Sequence, residues 1–468
     1  MTSQFPDNFI FGAATSSFQI EGNHLADGAS ESNWFRFCHQ ELGYSYRELQ
    51  AGGCDHYNRW NEDLQLINAL GLNSYRFSAA WPRIISEPGS SPNSKGISFY
   101  DKLIDELLSY DISPMLTLFH WDLPQTIEEK GGWANPNSVT WFEDYVNAIA
   151  RKLSDRDIKW ITMNEPWVFL HLGLIKGVHA PGIRSIEHAA AAYKNILLAQ
   201  SRAVQILRSY NSDSEIGISC NISSFFPKSD SSKDIEACRR LDEYHNRLFL
   251  DPWLLGEIPD IAGKAFGEFN PDWKTTEIKE LDEPIDFVGI NYYTFYRIEF
   301  DSAAFLQARS TSPEHPFTEM KWEIYPKGIY EAVEWIYDRY KTDIYITENG
   351  CAFTDDFVNG EINDIRRISY MYNHLSECAR AIENGYPLKG YYAWSLLDNF
   401  EWTFGLNKRF GLIHVDFNTK RRTIKNSGYF YRDFINGFIP HSEYLSEHNH
   451  ESTFNEEFLY SDINFRAF

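Results

Sequence analysis

The sequence predicts an α/β fold, a single (β/α)8 (TIM) barrel with long loops after its strands and a short acidic C-terminal extension. Eight strand-like runs alternate with helical segments along the 468 residues. No Pro/Ser-rich linker divides the chain, and barrels with long loops reach this length as one unit. We therefore expect the barrel at residues 1–438 and the extension at 439–468.

The strand-like runs are rich in β-branched and aromatic residues. They lie at residues 9–21, 74–78, 115–120, 160–164, 215–219, 287–293, 344–347 and 390–395. Between them, apolar residues recur at helical spacing, most clearly over 139–153 and 368–382. A doubly wound open sheet is the alternative, but no Gly-rich turn follows the first strand, as a dinucleotide site would require.

Two regions interrupt this alternation. Residues 297–320 form a long polar segment, which in a barrel is expected at the mouth of the site. The C-terminal extension is acidic and contains scattered aromatic residues. It is either an unstructured tail or an arm that docks on the barrel or on a second subunit, so a homo-oligomer stays open.

Charge and composition exclude several classes of function. The formal charge is −23 and no basic cluster is interleaved with aromatic residues, which argues against a nucleic-acid partner. No apolar run of about 18 residues occurs, which argues against a membrane partner. The six cysteines lack CxxC spacing and no signal-like segment precedes them, so we expect a cytoplasmic enzyme with reduced thiols.

Two glutamates stand just past or at the end of predicted strands. Glu165 follows the fourth strand in the sequence Thr-Met-Asn-Glu-Pro, and Glu348 ends the seventh in Ile-Thr-Glu-Asn-Gly. Because all parallel strands of a barrel end on one face, the two carboxyl groups are expected to meet there. Facing carboxyl groups are what glycoside hydrolysis needs, about 5–5.5 Å apart for retention of configuration.

Further motifs occur in a fixed order. They are Phe-Gly-Ala-Ala-Thr-Ser-Ser-Phe-Gln-Ile-Glu-Gly from 11, Asn-Ser-Tyr-Arg-Phe-Ser from 73, Leu-Phe-His-Trp-Asp-Leu-Pro from 118, Gly-Val-His-Ala-Pro-Gly from 177, Asn-Tyr-Tyr from 291 and Trp-Ser-Leu-Leu-Asp-Asn-Phe-Glu-Trp from 394. Together with the two glutamate motifs, they resemble the retaining β-glucosidases of glycoside hydrolase family 1. The resemblance extends from about residue 5 to about 438.

The resemblance implies a role for each matching residue. Glu165 would be the acid/base and Glu348 the nucleophile, with Arg76 and Tyr293 supporting the ionised nucleophile. The residues expected to bind the sugar are Gln19, His120, Asn164, Trp394, Glu401 and Trp402. Those expected on the aglycone side are Trp121, Trp167, Asn291, Trp322 and Phe410.

The predicted activity is hydrolysis of terminal, unphosphorylated β-D-glucosyl residues through a covalent intermediate on Glu348. Galactosides, fucosides and glycosyl transfer stay open as side activities. Members that act on 6-phosphorylated sugars resemble this chain at Lys408, but here Phe410 replaces their tyrosine, and the Glu401 carboxylate would repel a phosphate dianion. A 6-phospho-β-glucosidase and a non-catalytic sugar-binding barrel are the alternatives.

No metal or cofactor is expected. His448 and His450 are two residues apart and cannot both line one helix face. Retaining hydrolysis by two carboxyl groups needs no cofactor.

Overall fold

Eight parallel strands close into a barrel in the computed structural model, which describes residues 5–437 except 52, 282, 315, 359 and 360. The strands are β1 Ile10–Ala14, β2 Ser74–Ser78, β3 Ser113–Phe119, β4 Lys159–Asn164, β5 Ile216–Asn221, β6 Phe287–Asn291, β7 Asp343–Asn349 and β8 Leu388–Trp394. Each strand pairs with the next in sequence, and β1 pairs with β8 to close the ring. The predicted fold class is confirmed, whereas the extension at 439–468 lies outside the described residues.

Amphipathic helices surround the barrel. The longer ones are His56–Ala69, Ser94–Ser109, Ser138–Leu153, Ile186–Tyr210, Ser232–Asp242, Lys327–Tyr340, Ile365–Glu383 and Asn426–Ile435. The predicted helical patterns at 139–153 and 368–382 lie within two of them, and residues such as Phe142, Ile149 and Leu375 are buried in the hydrophobic core. Shorter α-helices are Ser17–Ile20, Asn33–Gln40, Tyr46–Ala51, Trp81–Ile84, Gln125–Glu128, Pro166–Val168, Leu250–Leu255, Asp260–Phe266 and Thr275–Leu281.

The first predicted strand, 9–21, is too long. β1 ends at Ala14, and Ser17–Ile20 forms one helical turn. The chain bends because the Ser17 amide donates to Ser78 Oγ at 2.7 Å instead of continuing the strand ladder. A short apolar run does not distinguish a buried strand from a buried helical turn, so the sequence pattern could not place this boundary.

The predicted polar loop at 297–320 is also partly wrong, because two short parts of it are strands. Strands Phe295–Phe300 and Ala308–Ser310 join Ser224–Pro227 in a small three-stranded sheet. Ile298 and Ala308 pack on the helix Ser232–Asp242, which supplies the apolar partner that the sequence did not reveal. Two two-stranded sheets, Asp356–Val358 with Glu361–Asn363 and Ile413–Val415 with Arg422–Ile424, complete the strands.

Aromatic side chains fill the interior of the barrel below the carboxyl ends of its strands. Phe287, Tyr345 and Tyr392 belong to one buried cluster. Gly217 leaves room for this layer, since a Cβ there would lie 2.4 Å from the Phe287 ring. The interior of the barrel is therefore packed. Among the described helices, none has the length and apolar character needed to span a membrane.

Candidate active site

Glu165 and Glu348 lie at the carboxyl end of the barrel and are almost fully buried. Glu165 follows β4 directly, in a left-handed conformation with φ of 48°, and its amide donates to the carbonyl of Ser219 at 2.8 Å. Non-glycine residues adopt this conformation rarely and at an energetic cost. Glu348 lies near the end of β7 and is 4 % exposed, while Glu165 is 6 % exposed.

Glu348 is held by two strong donors. Arg76 Nη1 on β2 lies 2.6 Å from its Oε1, and the Tyr293 hydroxyl donates to its Oε2 at 2.7 Å. Arg76 Nη1 also donates to the carbonyl of Thr347 at 2.9 Å. Charge-assisted bonds of this kind stabilise a carboxylate, so the contacts favour the ionised form of Glu348.

Glu165 has a different partner. Asn291 Nδ2 donates to Glu165 Oε1 at 2.8 Å and to Asn164 Oδ1 at 3.0 Å. Arg76 Nη2 donates to the same Asn164 oxygen at 2.7 Å, so one guanidinium connects the surroundings of both glutamates. Asn291 thus contacts the carboxyl pair directly, which differs from the aglycone-side position that the sequence predicted for it.

The two carboxyl groups have unequal electrostatic surroundings. Burial, then the negative charge of Glu348, raises the pKa of Glu165 to about 8. Burial also raises the pKa of Glu348, but Arg76 and Tyr293 oppose the rise. Since only Glu348 has a guanidinium and a phenol as donors, it ionises first and Glu165 keeps its proton at neutral pH.

A second group of polar side chains comes from the segments after β1, β3 and β8. Gln19 Nε2 donates to the Phe400 carbonyl at 2.9 Å and lies 3.4 Å from Glu401 Oε2. His120 Nε2 lies 3.2 Å from Asn164 Nδ2. Burial and Glu348 raise the pKa of Glu401 to about 8, so this carboxyl also favours its protonated form at neutral pH.

Aromatic rings stand beside these groups. His120 is nearly parallel to both Trp394 and Trp402, with ring centroids 6.1 Å apart in each case. Trp121 packs on Trp402 and donates from Nε1 to the Asn164 carbonyl at 3.0 Å. The structure therefore brings together all six residues predicted to bind the sugar, whereas Trp121 supports Asn164 and Trp402 from behind.

The other residues predicted on the aglycone side fall into two groups. Trp322 and Phe410 pack with Tyr293, at ring-centroid distances of 5.0 and 6.4 Å, so they lie near Glu348. Trp167 follows Glu165 by two residues, stacks on His171 and makes a tilted ring contact with His245. Both groups flank the glutamate pair.

Thr347 and Ser219 also belong to the site, although the sequence did not predict them as site residues. The Thr347 hydroxyl donates to Asn291 Oδ1 at 2.7 Å, and Ser219 Oγ donates to Thr347 Oγ1 at 3.0 Å. Both residues belong to predicted strands. A threonine there indicates only a β-branched strand former, and a serine indicates no particular role. Only their meeting across β5, β6 and β7 identifies them.

One cluster within the described residues has a composition that suits a metal ion. Asp355, Asp398 and His414 place ligand atoms within 4.8 Å of one another. Lys425 Nζ lies 2.8 Å from Asp355 and 2.7 Å from Asp398, and both aspartates are buried or nearly so. The ammonium group occupies the position that a cation would need, so this cluster is an internal ion-pair network.

A parallel eight-stranded barrel with two buried glutamates of unequal proton affinity at its carboxyl end defines a glycoside hydrolase. Residues 1–438 match the sequence profile described as Glycosyl hydrolase family 1, and the chain belongs to that family. This confirms the resemblance read from the motifs.

Relatives and solved structures agree. The chain is 43% identical to beta-glucosidase A of Thermotoga maritima over 92% of its own length and 98% of that protein. It is 41% identical to beta-glucosidase A of Acetivibrio thermocellus over 93% and 99% of the two chains. The structure of the Thermotoga maritima beta-glucosidase in complex with glucoimidazole superposes with a TM-score of 0.89, at 42% identity over 93% and 99% of the two chains.

Proposed function

We propose that this chain is a β-glucosidase that removes terminal, non-reducing β-D-glucosyl residues with retention of configuration. One observation carries the proposal. Glu348 is held by the Arg76 guanidinium and the Tyr293 hydroxyl, while Glu165 has only the Asn291 amide and a pKa near 8. One carboxylate and one carboxylic acid at neutral pH are the two starting forms that the retaining mechanism requires. The similarity to the two β-glucosidases named above supports the choice of glucose.

In the first proposed step, Glu348 attacks the anomeric carbon. A bond forms between that carbon and the glutamate oxygen as the bond to the leaving oxygen breaks, and Glu165 gives its proton to that oxygen. In the second step, ionised Glu165 takes a proton from water, whose oxygen attacks the anomeric carbon and releases the Glu348 carboxylate. The order of the two proton affinities supports this assignment of roles.

The polar side chains around the pair suit a sugar ring. Gln19, Glu401 and His120 offer donors and acceptors to hydroxyl groups, and the Trp394 and Trp402 rings suit the apolar faces of a sugar. Asn164 is fixed by Arg76 and Asn291, so its amide is pre-oriented. A bond from this amide to the 2-hydroxyl would strengthen as charge develops in the transition state.

We further propose that the substrate is unphosphorylated. Lys408 Nζ donates to the Glu319 carbonyl at 3.0 Å, and Phe410 has no hydroxyl to offer to a phosphate. Burial raises the pKa of Glu401 to about 8, which weakens the electrostatic repulsion expected between this group and a phosphate dianion. The missing phenolic donor at Phe410 is therefore the stronger reason to expect that 6-phosphoglucosides are poor substrates.

We place the enzyme in the cytoplasm. The six cysteines are buried and none forms a disulfide in the described structure, which suits a reducing compartment.

β-Galactosides and β-fucosides are proposed as secondary substrates, because Gln19 and Glu401 can each bind either epimeric hydroxyl. Glycosyl transfer is proposed only where an alcohol, instead of water, attacks the anomeric carbon of the intermediate in the second step.

The test is a rate comparison on p-nitrophenyl β-D-glucoside, β-D-galactoside and 6-phospho-β-D-glucoside, with Glu348→Ala as the blank. We expect fastest release from the glucoside, loss of release in the variant, and a first-formed product that NMR identifies as the β-anomer. Release from none of the three would favour the non-catalytic sugar-binding barrel. Preference for the 6-phosphoglucoside, or an α-anomer as first product, would contradict the proposed substrate or mechanism.

A further inference from the structure

Three polar side chains on neighbouring strands form a hydrogen-bonded chain that ends at Glu165. Ser219 on β5 donates to Thr347 Oγ1 on β7 at 3.0 Å, and Thr347 donates to Asn291 Oδ1 on β6 at 2.7 Å. Asn291 then donates to Glu165. Ser219, Thr347 and Asn291 are at most 1 % exposed, so the chain is shielded from bulk water.

The direction of these bonds is fixed by the chemistry of the groups. The Asn291 amide oxygen can only accept, so the Thr347 hydroxyl must donate its single proton to it. Thr347 is then free to accept from Ser219. Both protons of the Asn291 amide nitrogen are used, one by Asn164 Oδ1 and one by Glu165 Oε1. Asn164 Oδ1 already accepts from Arg76 and can only accept, so the Asn291 nitrogen faces it and Glu165, and the two hydroxyls satisfy the amide oxygen on the other side.

The space around the hydroxyls indicates a close fit. A Cβ on Gly289 would lie 2.5 Å from Ser219 Oγ and 2.6 Å from Thr347 Oγ1. Contacts below 3.0 Å force the neighbours to move. A side chain at this position of β6 would therefore separate the two hydroxyls, and glycine allows them to approach.

We propose that Ser219 and Thr347 are positioning residues that hold the Asn291 amide with its N–H toward Glu165. The inference rests on the proposed function, because it assigns these hydroxyls a part in the acid/base cycle of Glu165. If the amide turned over, its oxygen would face Glu165 and Asn164 Oδ1. That orientation repels an ionised carboxylate and accepts a bond from a protonated one.

Other charged and titratable groups also shift the pKa of Glu165, in addition to the hydrogen-bonded chain of Ser219, Thr347 and Asn291. The carboxyl groups of Glu348 on β7 and Glu401 after β8 raise its pKa, and Arg76 on β2 lowers it. The Asn291 amide also lowers the pKa, against the larger effect of burial. The hydroxyls of Tyr293 and Tyr296 and the Cys220 thiol also interact electrostatically with Glu165. Loss of the correct amide orientation therefore raises the pKa of Glu165.

The decisive pair of variants is Thr347→Val and Thr347→Ser. Valine keeps the branched shape and removes the hydroxyl, while serine keeps the hydroxyl and removes the methyl group. We expect the alkaline limb of kcat/KM in Thr347→Val to move up by about one pH unit, and Thr347→Ser to restore the wild-type position. On 2,4-dinitrophenyl β-D-glucoside, whose turnover is limited by the second step, kcat of Thr347→Val should fall about tenfold or more.

Two further variants serve as comparison. Ser219→Ala removes only the outer donor. It should move the alkaline limb of kcat/KM in the same direction as Thr347→Val, but by less. Thr162→Val removes another buried hydroxyl from a barrel strand, one bonded to Gln200 and the Gly217 carbonyl. It should leave the alkaline limb unchanged even if it lowers stability.

Equal losses of kcat in Thr347→Val and Thr347→Ser would overturn the inference. So would an alkaline limb of kcat/KM that does not move in Thr347→Val. Failure of the proposed function would look different, since the wild-type protein itself would not hydrolyse the glucosides. In that case the titration of Glu165 can be followed without turnover, by infrared difference spectra of the carboxyl stretch with Glu165→Gln as the blank. An unshifted titration in Thr347→Val would then overturn the inference independently.

Discussion

Arg76 Nη1 lies 2.6 Å from Glu348 Oε1 and is completely buried, so the positive charge and the carboxylate form one desolvated pair in the barrel centre. Both partners of such a pair are needed, because either one alone would be a buried, uncompensated charge. It also gives the two glutamates different roles, since Glu165 has no comparable cation.

Replacing Glu165 by alanine should make activity depend strongly on the leaving group. Without a proton donor, kcat/KM should fall by about 10²–10⁴-fold on a substrate with a poor leaving group such as methyl β-D-glucoside. It should fall far less on 2,4-dinitrophenyl β-D-glucoside, whose leaving group needs no proton. Azide should speed turnover by replacing water in the second step. Equal losses on both substrates would contradict the acid/base role of Glu165.

Tyr293→Phe should move the acid limb of kcat/KM to higher pH. The Tyr293 hydroxyl donates to Glu348 at 2.7 Å and opposes the effect of burial on the pKa of that carboxyl. A hydrogen bond to a charged group is worth about 1.5–3 kcal/mol, which corresponds to about one to two pH units. Tyr292→Phe is the matched control, because the Tyr292 hydroxyl donates to the Tyr325 carbonyl instead. An acid limb that moves equally in both variants would argue against the contact.

Glu165→Gln should change how stability depends on pH. Burial raises the pKa of Glu165 to about 8 from the model-compound value of 4.5, so the folded state holds a proton that the unfolded state releases. This group therefore stabilises the fold below about pH 4.5, and the contribution is lost as the pH rises to about 8. The Tm of Glu165→Gln relative to wild type should rise across that window.

Thermal unfolding at several pH values measures this effect. Glutamine at the exposed Glu129 is the control and should give a Tm curve parallel to that of the wild type. A difference between Glu165→Gln and wild type that stays constant from pH 4.5 to 8 would show that Glu165 does not keep its proton in the folded state.

Lys425→Met should destabilise the protein by about 3–5 kcal/mol in denaturant unfolding, because it leaves Asp398 and Asp355 buried without their ammonium partner. Lys425 and Asp398 are both completely buried in this contact. Lys389→Met, which removes a half-exposed pair with Asp343, should cost less than about 1 kcal/mol. Similar losses in the two variants would mean that burial does not decide the value of the Lys425 pair.

Asp398 also lies in the loop between Trp394, the last residue of β8, and Glu401. It accepts bonds from the Gly411 amide at 2.9 Å and from Arg409 at 2.9 Å, which tie that loop to the one following it. We expect kcat/KM of Lys425→Met to fall as well, measured at a temperature where the variant is folded. Full activity in the folded variant would limit this network to stability.

The sequence by itself determined the alternation of strands and helices, the strand ends that carry Glu165 and Glu348, and the family. These follow from local apolar periodicity and from contiguous motifs, which need no knowledge of distant contacts. Even so, the end of β1 and the small sheet around Phe295–Phe300 were not predicted, because a bond from Ser17 to Ser78 and packing on Ser232–Asp242 decide them.

Only the tertiary structure decided which side chains of the site are hydrogen-bonded to one another. Asn291 looked like an aglycone contact in the sequence, but β6 carries it between Asn164 and Glu165. Thr347 and Ser219 looked like ordinary strand residues until closure of the barrel brought three strands side by side. Hydrogen-bond partners far apart in sequence, and the burial that shifts each pKa, exist only once the chain is folded, so no local pattern encodes them.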